Sequence, residues 1–135
     1  MDYVSLVRKI CEGIERGDPQ PLLAALADDV VWNEAEHSTL WPGTSFVGRD
    51  AIISGVFARI PRHFDGLQLE VQRIVGCGDT VLVEGRYRAV ARATGRRLDA
   101  QVAHVWQFKD DKVIRWQQYT DTWQFAEVTG IRPAS

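Results

Sequence analysis

The chain has 135 residues, 45% of them hydrophobic and 25% charged, and 16 Lys and Arg residues against 18 Asp and Glu give a formal net charge of −2. This length predicts a single globular domain over residues 1–135, whose core can form without disulfides or a metal. The near-neutral charge argues against nucleic acid or an acidic membrane as the main partner.

Targeting signals and metal motifs are missing from the sequence pattern. No stretch approaches the ~18 apolar residues of a membrane-spanning helix, and the charged, amphipathic start over 1–9 differs from a secretory signal. Cys11 and Cys77 suggest neither a disulfide framework nor a metal site. The three histidines are too far apart for a helical zinc site. We therefore expect a cytoplasmic protein that uses no metal and no cofactor.

The first part of the chain predicts two helices and a strand. Apolar residues at helical spacing define the first helix, and they are Tyr3, Val7, Ile10 and Ile14. Gly17-Asp18-Pro19 then supplies a helix-ending glycine, an N-cap acid and a proline, so a second helix runs from Pro19 to about Ala27. A strand over 30–34 follows.

A long loop and a third helix come next. The segment from Ala35 to Gly48 has no regular period, and long loops in compact domains often form lids. Asp50 is expected to be the N-cap of the third helix, which ends at Pro61.

The rest of the chain alternates with a period of two and predicts four strands. The first of them begins at Leu67, and the second runs from Thr80 to about Arg92. The third covers residues 97–108, and the fourth runs from Val113 to about Asp121. Helices followed by a meander of strands predict an α+β fold, with the helices on one face of an antiparallel sheet.

Turn lengths set which side chains share a face. A two-residue turn at Thr94-Gly95 pairs Tyr87 with Val102, and a three-residue loop over 109–111 pairs His104 with Trp116. Both hairpins then place on the helix-covered face Leu98, Ala100, Val102, His104, Trp106, Phe108, Tyr87, Ile114, Trp116, Gln118 and Thr120. The opposite face carries Arg86, Arg88, Arg92, Arg97, Asp99 and Gln101.

The helix-covered face is apolar except for a small convergent polar set, which is how a ligand pocket is composed. The residues expected to contact a small apolar ligand are Trp32, His37, Trp41, Phe57, Tyr87, Val102, Trp106, Trp116, Gln118 and Thr120. The alternative interpretation is that His104 is a core histidine bonded to a carbonyl and that the indoles only fill the core.

Short motifs in a fixed order resemble the nuclear transport factor 2-like superfamily, specifically its SnoaL-like and ketosteroid-isomerase-related branch. They are Gly17-Asp18, Ala27-Asp28-Asp29-Val30, Phe46-Val47-Gly48-Arg49-Asp50, Ala93-Thr94-Gly95, His104-Val105-Trp106 and Tyr119-Thr120-Asp121. The resemblance implies a curved antiparallel or mixed sheet wrapped as a cone around three N-terminal helices, a cystatin-like α+β roll. It also implies a deep apolar pocket and a homodimer formed through the outer face of the sheet.

The resemblance implies roles for individual residues. The proton-shuttling aspartate of ketosteroid isomerases falls at Glu34, and their oxyanion-binding aspartic acid falls at His104. Their oxyanion-binding tyrosine falls near Ile10, which has no donor. Asp121 matches the acid-base aspartate of SnoaL-type cyclases, although strict alternation turns it outward. The Arg-x-Asp of the epoxide hydrolases of this fold is Arg86-Tyr87-Arg88 here, which disfavours their mechanism.

The sequence therefore predicts a small, cofactor-independent enzyme of isomerase, cyclase or dehydratase type. Its expected substrate is an apolar carbonyl compound, steroid-like or polyketide-like, with Glu34 as general base, His104 as hydrogen-bond donor or acid, and Asp121 as a lower-ranked candidate. The alternative is a non-catalytic module of the same fold that binds a hydrophobic ligand or forms a dimer.

Overall fold

The computed structural model describes residues 2–131, which form an α+β fold. The helices are α1 (Tyr3–Glu15), α2 (Gln20–Ala25), α3 (Arg49–Gly55), α4 (Ile60–His63) and α5 (Thr122–Thr129), with a short 3-10 helix over Phe57–Arg59. The strands are β1 (Leu26–Asn33), β2 (Ser45–Val47), β3 (Phe64–Cys77), β4 (Thr80–Ala91), β5 (Arg97–Lys109) and β6 (Lys112–Thr120). None of the helices within residues 2–131 has the length and apolar character needed to cross a membrane.

One open, mixed sheet carries the fold. Its strand order is β2-β1-β6-β5-β4-β3, in which β1 and β6 run parallel and all other neighbours antiparallel. The predicted α+β class with helices before the main meander is confirmed.

Helix α1 covers the inner face of the sheet. Val7 and Ile10 are buried, and Tyr3 stacks on Phe108 of β5 with ring centroids 4.2 Å apart. The Asp2 carboxylate accepts from the Ser5 backbone N–H at 3.1 Å and so caps the helix. The apolar stripe seen in the sequence thus fixes which side of α1 meets the strands.

The predicted register of the β4–β5 hairpin is wrong by two residues. The loop spans four residues, 92–95, and Tyr87 pairs with Ala100 while His104 pairs with Val83. Thr94 explains the longer turn, because its hydroxyl accepts from the Arg96 N–H and donates to the Val128 carbonyl at the end of α5.

The β5–β6 hairpin also differs from the prediction. Asp110 and Asp111 form a two-residue turn, both with positive φ, and the register shifts at a bulge between Gln107 and Phe108. His104 therefore pairs with Gln118, not with Trp116. The bulge also buries Val113 and leaves Ile114 only half-buried, contrary to the predicted face.

The predicted faces are otherwise confirmed, because an error of two residues leaves each side chain on its side. The buried residues of β5 are Leu98, Ala100, Val102, His104, Trp106 and Phe108. The arginines and Asp99 lie on the outer face, where Arg86 and Asp99 form an ion pair at 2.7 Å.

Three local predictions need correction. The loop over 35–48 contains β2, whose Phe46 pairs with Trp32. Helix three is broken at Val56 into α3, the 3-10 turn and α4, and Gly48, not Asp50, is its N-cap. The last strand ends at Thr120, and α5 follows it.

A close backbone approach at Gly85 tests the packing of β3 on β4. The β3–β4 register shifts between Val71 and Arg73, and a Cβ on Gly85 would lie 2.3 Å from the Glu70 backbone oxygen. We expect Gly85→Ala to lower the free energy of unfolding by about 2 kcal/mol, measured by chemical denaturation. Gly43→Ala is the matched control, since a Cβ there meets no atom within 4 Å. Equal stability of the two variants would contradict the assigned register.

Candidate active site

A cavity of about 190 Å³ lies between the helices and the inner face of the sheet. Residues of two core clusters line it, one built around the indoles and the other around Phe64, Tyr87 and Phe125. Ile14 lines the cavity and is 42% exposed, so the rim reaches solvent near the end of α1.

Glu34 is the one carboxyl group among the residues that line the cavity. It follows β1 directly, and its side chain is only 4% exposed because inward positions alternate from Trp32. Glu34 Oε1 accepts from Trp32 Nε1 at 3.2 Å, whereas Oε2 is buried without a protein partner. Burial raises the pKa of Glu34 from 4.5 to about 7, and the Trp32 hydrogen bond opposes this in part.

A chain of hydrogen bonds leads from the backbone to His104. The Ala35 N–H donates to Gln118 Oε1 at 3.1 Å, and Gln118 Nε2 donates to the Tyr87 hydroxyl at 2.9 Å. The Tyr87 hydroxyl lies 2.6 Å from His104 Nε2. Since the amide N–H occupies Tyr87 as acceptor, we assign the Tyr87 O–H as the donor to Nε2.

This assignment fixes the state of His104. With Nε2 as acceptor, the neutral ring carries its proton on Nδ1, which is buried and has no protein partner. Burial lowers the pKa of His104 to about 3, so the ring stays neutral at physiological pH. Burial likewise raises the pKa of Tyr87, which keeps its hydroxyl protonated. His104 therefore presents a neutral N–H donor.

Three indoles form a wall of the cavity. Trp32 stacks on Trp116 with ring centroids 3.8 Å apart, and Trp106 meets both edge-on at 6.2 Å. Nε1 of Trp106 and Nε1 of Trp116 are buried without protein partners. An unsatisfied buried donor costs about 1–3 kcal/mol, so these groups have free energy to gain from an acceptor.

The structure brings most of the predicted site residues together. Those that line the cavity are Glu34, His104, Trp32, Trp41, Phe57, Tyr87, Trp106, Trp116 and Gln118. All of them except Trp41 and Phe57 follow the inward alternation of β1, β4, β5 and β6, which the sequence shows; Trp41 lies in the loop before β2 and Phe57 in the 3-10 helix.

Asp121 lies elsewhere. Its side chain caps α5, where Oδ1 accepts from the Gln124 N–H at 3.1 Å. The sequence analysis extended the last strand to about Asp121, and so it did not predict the helix that begins at Thr122 and that this residue caps. Asp121 is thus an N-cap that does not line the cavity, and its catalytic role stays a prediction.

Three predicted ligand contacts also lie outside the cavity lining. His37 is exposed, in a tight turn with positive φ. Val102 is buried in the second core cluster, one inward position before the cavity begins at His104. Thr120 donates to the Gln101 carbonyl at 2.8 Å, because the true register moves it to the end of the β5–β6 ladder.

Sequence reasoning missed the rest of the cavity lining, which comes from the helices and from β3. It consists of Ile10, Cys11, Ile14, Leu22, Val56, Ile60, Phe64, Leu67, Leu69 and Phe125. The apolar stripe of α1 and the alternation of β3 marked several of them as inward-facing, but neither pattern shows that the elements stand apart. Within residues 2–131 no group of three or more His, Cys, Asp and Glu side chains is placed to hold a metal ion.

Comparisons with known proteins agree with this architecture. The profile of the SnoaL-like domain matches residues 7–116. An NTF2-like protein of unknown function from Burkholderia pseudomallei superposes with a TM-score of 0.87 at 26% identity, covering 96% of this chain and 98% of that one. An NTF2-like protein from Burkholderia thailandensis superposes with a TM-score of 0.85 at 29% identity, covering 93% of this chain and 95% of that one. TerC co-crystallised with polyporic acid superposes with a TM-score of 0.84 at 23% identity, covering 94% of this chain and 97% of that one. No curated protein matches the chain significantly.

The buried titratable pair predicts opposite dependences of stability on pH. Glu34 holds its proton more tightly when folded, so its contribution is complete below pH 4.5 and is lost as the pH rises towards about 7. His104 binds its proton less tightly when folded, so its contribution is lost as the pH falls from 6.5 towards about 3. Between pH 4.5 and 6.5 the two effects oppose each other.

Glu34→Gln separates these effects. The variant has no carboxyl group at position 34, so it does not lose stability through Glu34 as the pH rises. Its free energy of unfolding relative to that of the wild type should therefore increase by about 3 kcal/mol between pH 4.5 and 7. Urea denaturation at several pH values measures the difference. A constant difference across this range would show that Glu34 ionises normally in the folded protein.

Proposed function

The chain belongs to the SnoaL-like domain family of the nuclear transport factor 2-like superfamily, and on this premise we propose that it is a cofactor-independent acid-base enzyme acting on a small apolar carbonyl compound. The observation that supports this most is a buried carboxyl, with a pKa of about 7, in the same cavity as a neutral N–H donor. Glu34 is the proposed general base, and His104 the hydrogen-bond donor.

The proposed step is proton transfer at a carbon next to the carbonyl. Ionised Glu34 takes the proton, the C–H electrons form an enolate, and His104 Nδ1–H donates to its oxygen. Return of the proton from Glu34 to the same or a conjugated carbon regenerates the carboxylate and completes an exchange or an isomerisation. A pKa of about 7 suits this role, since about half of the groups are ionised at neutral pH and each is a stronger base than an exposed carboxylate.

The size of the cavity limits the range of substrates that can bind. An engineered cavity of about 150 Å³ in another protein accepts benzene, so 190 Å³ accommodates one six-membered ring with a short substituent. Typical ligand pockets are larger, about 300–1,000 Å³. The size therefore favours a single-ring compound over the four fused rings of a steroid.

The site has few hydrogen-bond donors that could stabilise the oxygen of an enolate. Ile10 lines the cavity at the position where ketosteroid isomerases have a tyrosine, and it has no donor. Tyr87 does not replace that group, since its O–H is directed to His104. The site therefore suits a substrate whose C–H is already acidic.

A non-catalytic ligand carrier is the second candidate. It is favoured by the apolar walls and by the hydrogen bonds that the polar residues already make, from Trp32 to Glu34 and from Gln118 through Tyr87 to His104. TerC, a protein of the same fold, was co-crystallised with polyporic acid, which supports the capacity of such a chain to hold an organic molecule.

Removing the base distinguishes the two candidates. The assay is deuterium exchange at the α-carbon of phenylacetone in D₂O, followed by NMR. Glu34→Gln, which can still accept from Trp32, should slow protein-catalysed exchange by about 100-fold or more. The wild-type rate should rise with pH up to about 7 and then level off, as Glu34 ionises.

Glu36→Gln is the matched control, because Glu36 is exposed two residues away. It should leave the exchange rate unchanged. A wild-type rate equal to that of Glu34→Gln would favour the carrier function.

We also propose that the outer face of the sheet binds a second copy of the chain. Tyr119, opposite Ala103 on β5, is 58% exposed there. The charges of this face are paired within the chain, as Arg86–Asp99, Arg88–Glu70 and Arg73–Glu84. Such a face can approach its own copy without net repulsion.

Light scattering after size-exclusion chromatography tests this interface. The wild type should elute as a dimer, and Tyr119→Glu as a monomer, because a carboxylate would then be buried against the partner. Asp28→Glu, away from this face and conservative in charge, should remain dimeric. A monomeric wild type would contradict the interface.

A further inference from the structure

Trp32, Trp106 and Trp116, which form one wall of the cavity, differ in their hydrogen bonding. Trp32 donates its N–H to Glu34 Oε1 at 3.2 Å. Trp106 and Trp116 are as deeply buried as Trp32, yet neither N–H has a protein acceptor. Two buried donors of this kind are more than core filling requires, since an apolar ring of similar size would avoid their desolvation.

His104 adds a third donor beside them. Its ring centroid lies 4.6 Å from that of Trp116, and it precedes Trp106 by two residues on the same face of β5. Its Nδ1–H also lacks a protein acceptor. Three of the side chains that line the cavity therefore carry an N–H without a protein acceptor, and Glu34 Oε2 is the unpartnered oxygen of its one carboxyl group.

We propose that the ligand of this cavity is a single-ring compound with two carbonyl-type oxygens, as in a 1,3-dicarbonyl, one bound by His104 and the other by the indole N–H groups of Trp106 and Trp116. This inference rests on the proposed function, and it names the substrate class of the same site. The N–H donors indicate two oxygen acceptors on the ligand, and the indole wall indicates a ligand with a flat apolar ring.

A 1,3-dicarbonyl suits a site with few donors for an enolate oxygen, because its C–H is already acidic. When Glu34 Oε2 takes a proton from the carbon between the carbonyls, the electron pair of that C–H bond spreads over both oxygens. Each oxygen then accepts from an N–H donor, which shares the charge that one tyrosine would otherwise stabilise. The second carbonyl thus substitutes for the donor that Ile10 lacks.

Three probes with one carbon skeleton test the proposal. They are 1-phenylbutane-1,3-dione, 1-phenylbutan-1-one and butylbenzene, with two, one and no oxygens. Their binding is followed in ¹⁵N–¹H spectra, where each indole N–H gives its own signal. Single Trp→Phe variants assign the signals.

The dione should move the signals of Trp106 and Trp116 downfield, as expected when an N–H begins to donate, and butylbenzene should not. Trp123, which is 71% exposed on α5, is the internal control and should not move with either probe. These spectra need only the wild-type protein once the signals are assigned, so one variant that fails to fold leaves the test intact.

Calorimetry measures the strength of the contacts. Trp106→Phe and Trp116→Phe should each weaken the dione about tenfold relative to their effect on butylbenzene. Equal losses for both probes, equal shifts for both probes, or no binding of the dione at millimolar concentration would overturn the proposal.

Glu34→Gln separates this inference from the proposed function, because the variant keeps all three donors. If it binds the dione with the same indole shifts but its exchange rate equals that of the wild type, the catalytic role of Glu34 fails and the ligand class stands. If exchange depends on Glu34 but the indole signals stay fixed, the ligand class fails alone.

Discussion

The burial of one carboxyl group in an apolar enclosure is the constraint on which this molecule depends. Within residues 2–131, Glu34 receives one indole N–H from the protein, and its other oxygen faces no protein donor. A charged carboxylate in such surroundings is costly, so the group holds its proton to about neutral pH. The proposed chemistry uses this raised proton affinity, and the fold has to supply the stability that offsets it.

The sequence predicts the faces of the sheet better than the pairs across it. Inward and outward positions alternate along β5, so His104 and Trp106 lie inside even though the predicted pairs across both hairpins are displaced by two residues. Turn length could not be predicted, because Thr94 bonds to Val128 on a helix that local patterns did not reveal. The same helix explains Asp121, whose carboxylate caps it.

The cavity itself could be predicted only in part. Glu34 was found through a resemblance to ketosteroid isomerases and His104 through the alternation along β5, and both residues line the one cavity. The distance between α1 and the sheet depends on how every side chain between them packs, which no pattern in α1 encodes. The backbone N–H of Ala35, at the start of the chain of hydrogen bonds to His104, was equally invisible, since only the path of the loop brings it to Gln118.

The titration of the cavity wall limits the stereochemistry of any reaction there. Cys11 lines the cavity as a protonated thiol, because burial raises its pKa to about 11, and the Tyr87 hydroxyl is held protonated in the same way. In the proposed reaction, Glu34 is therefore the one group of the cavity lining that exchanges protons at neutral pH, and it acts from one side of the substrate. A hydrogen lifted by that group has to return to the same side of the molecular plane, so a double-bond shift in this cavity would be suprafacial and would carry some of the original isotope with it.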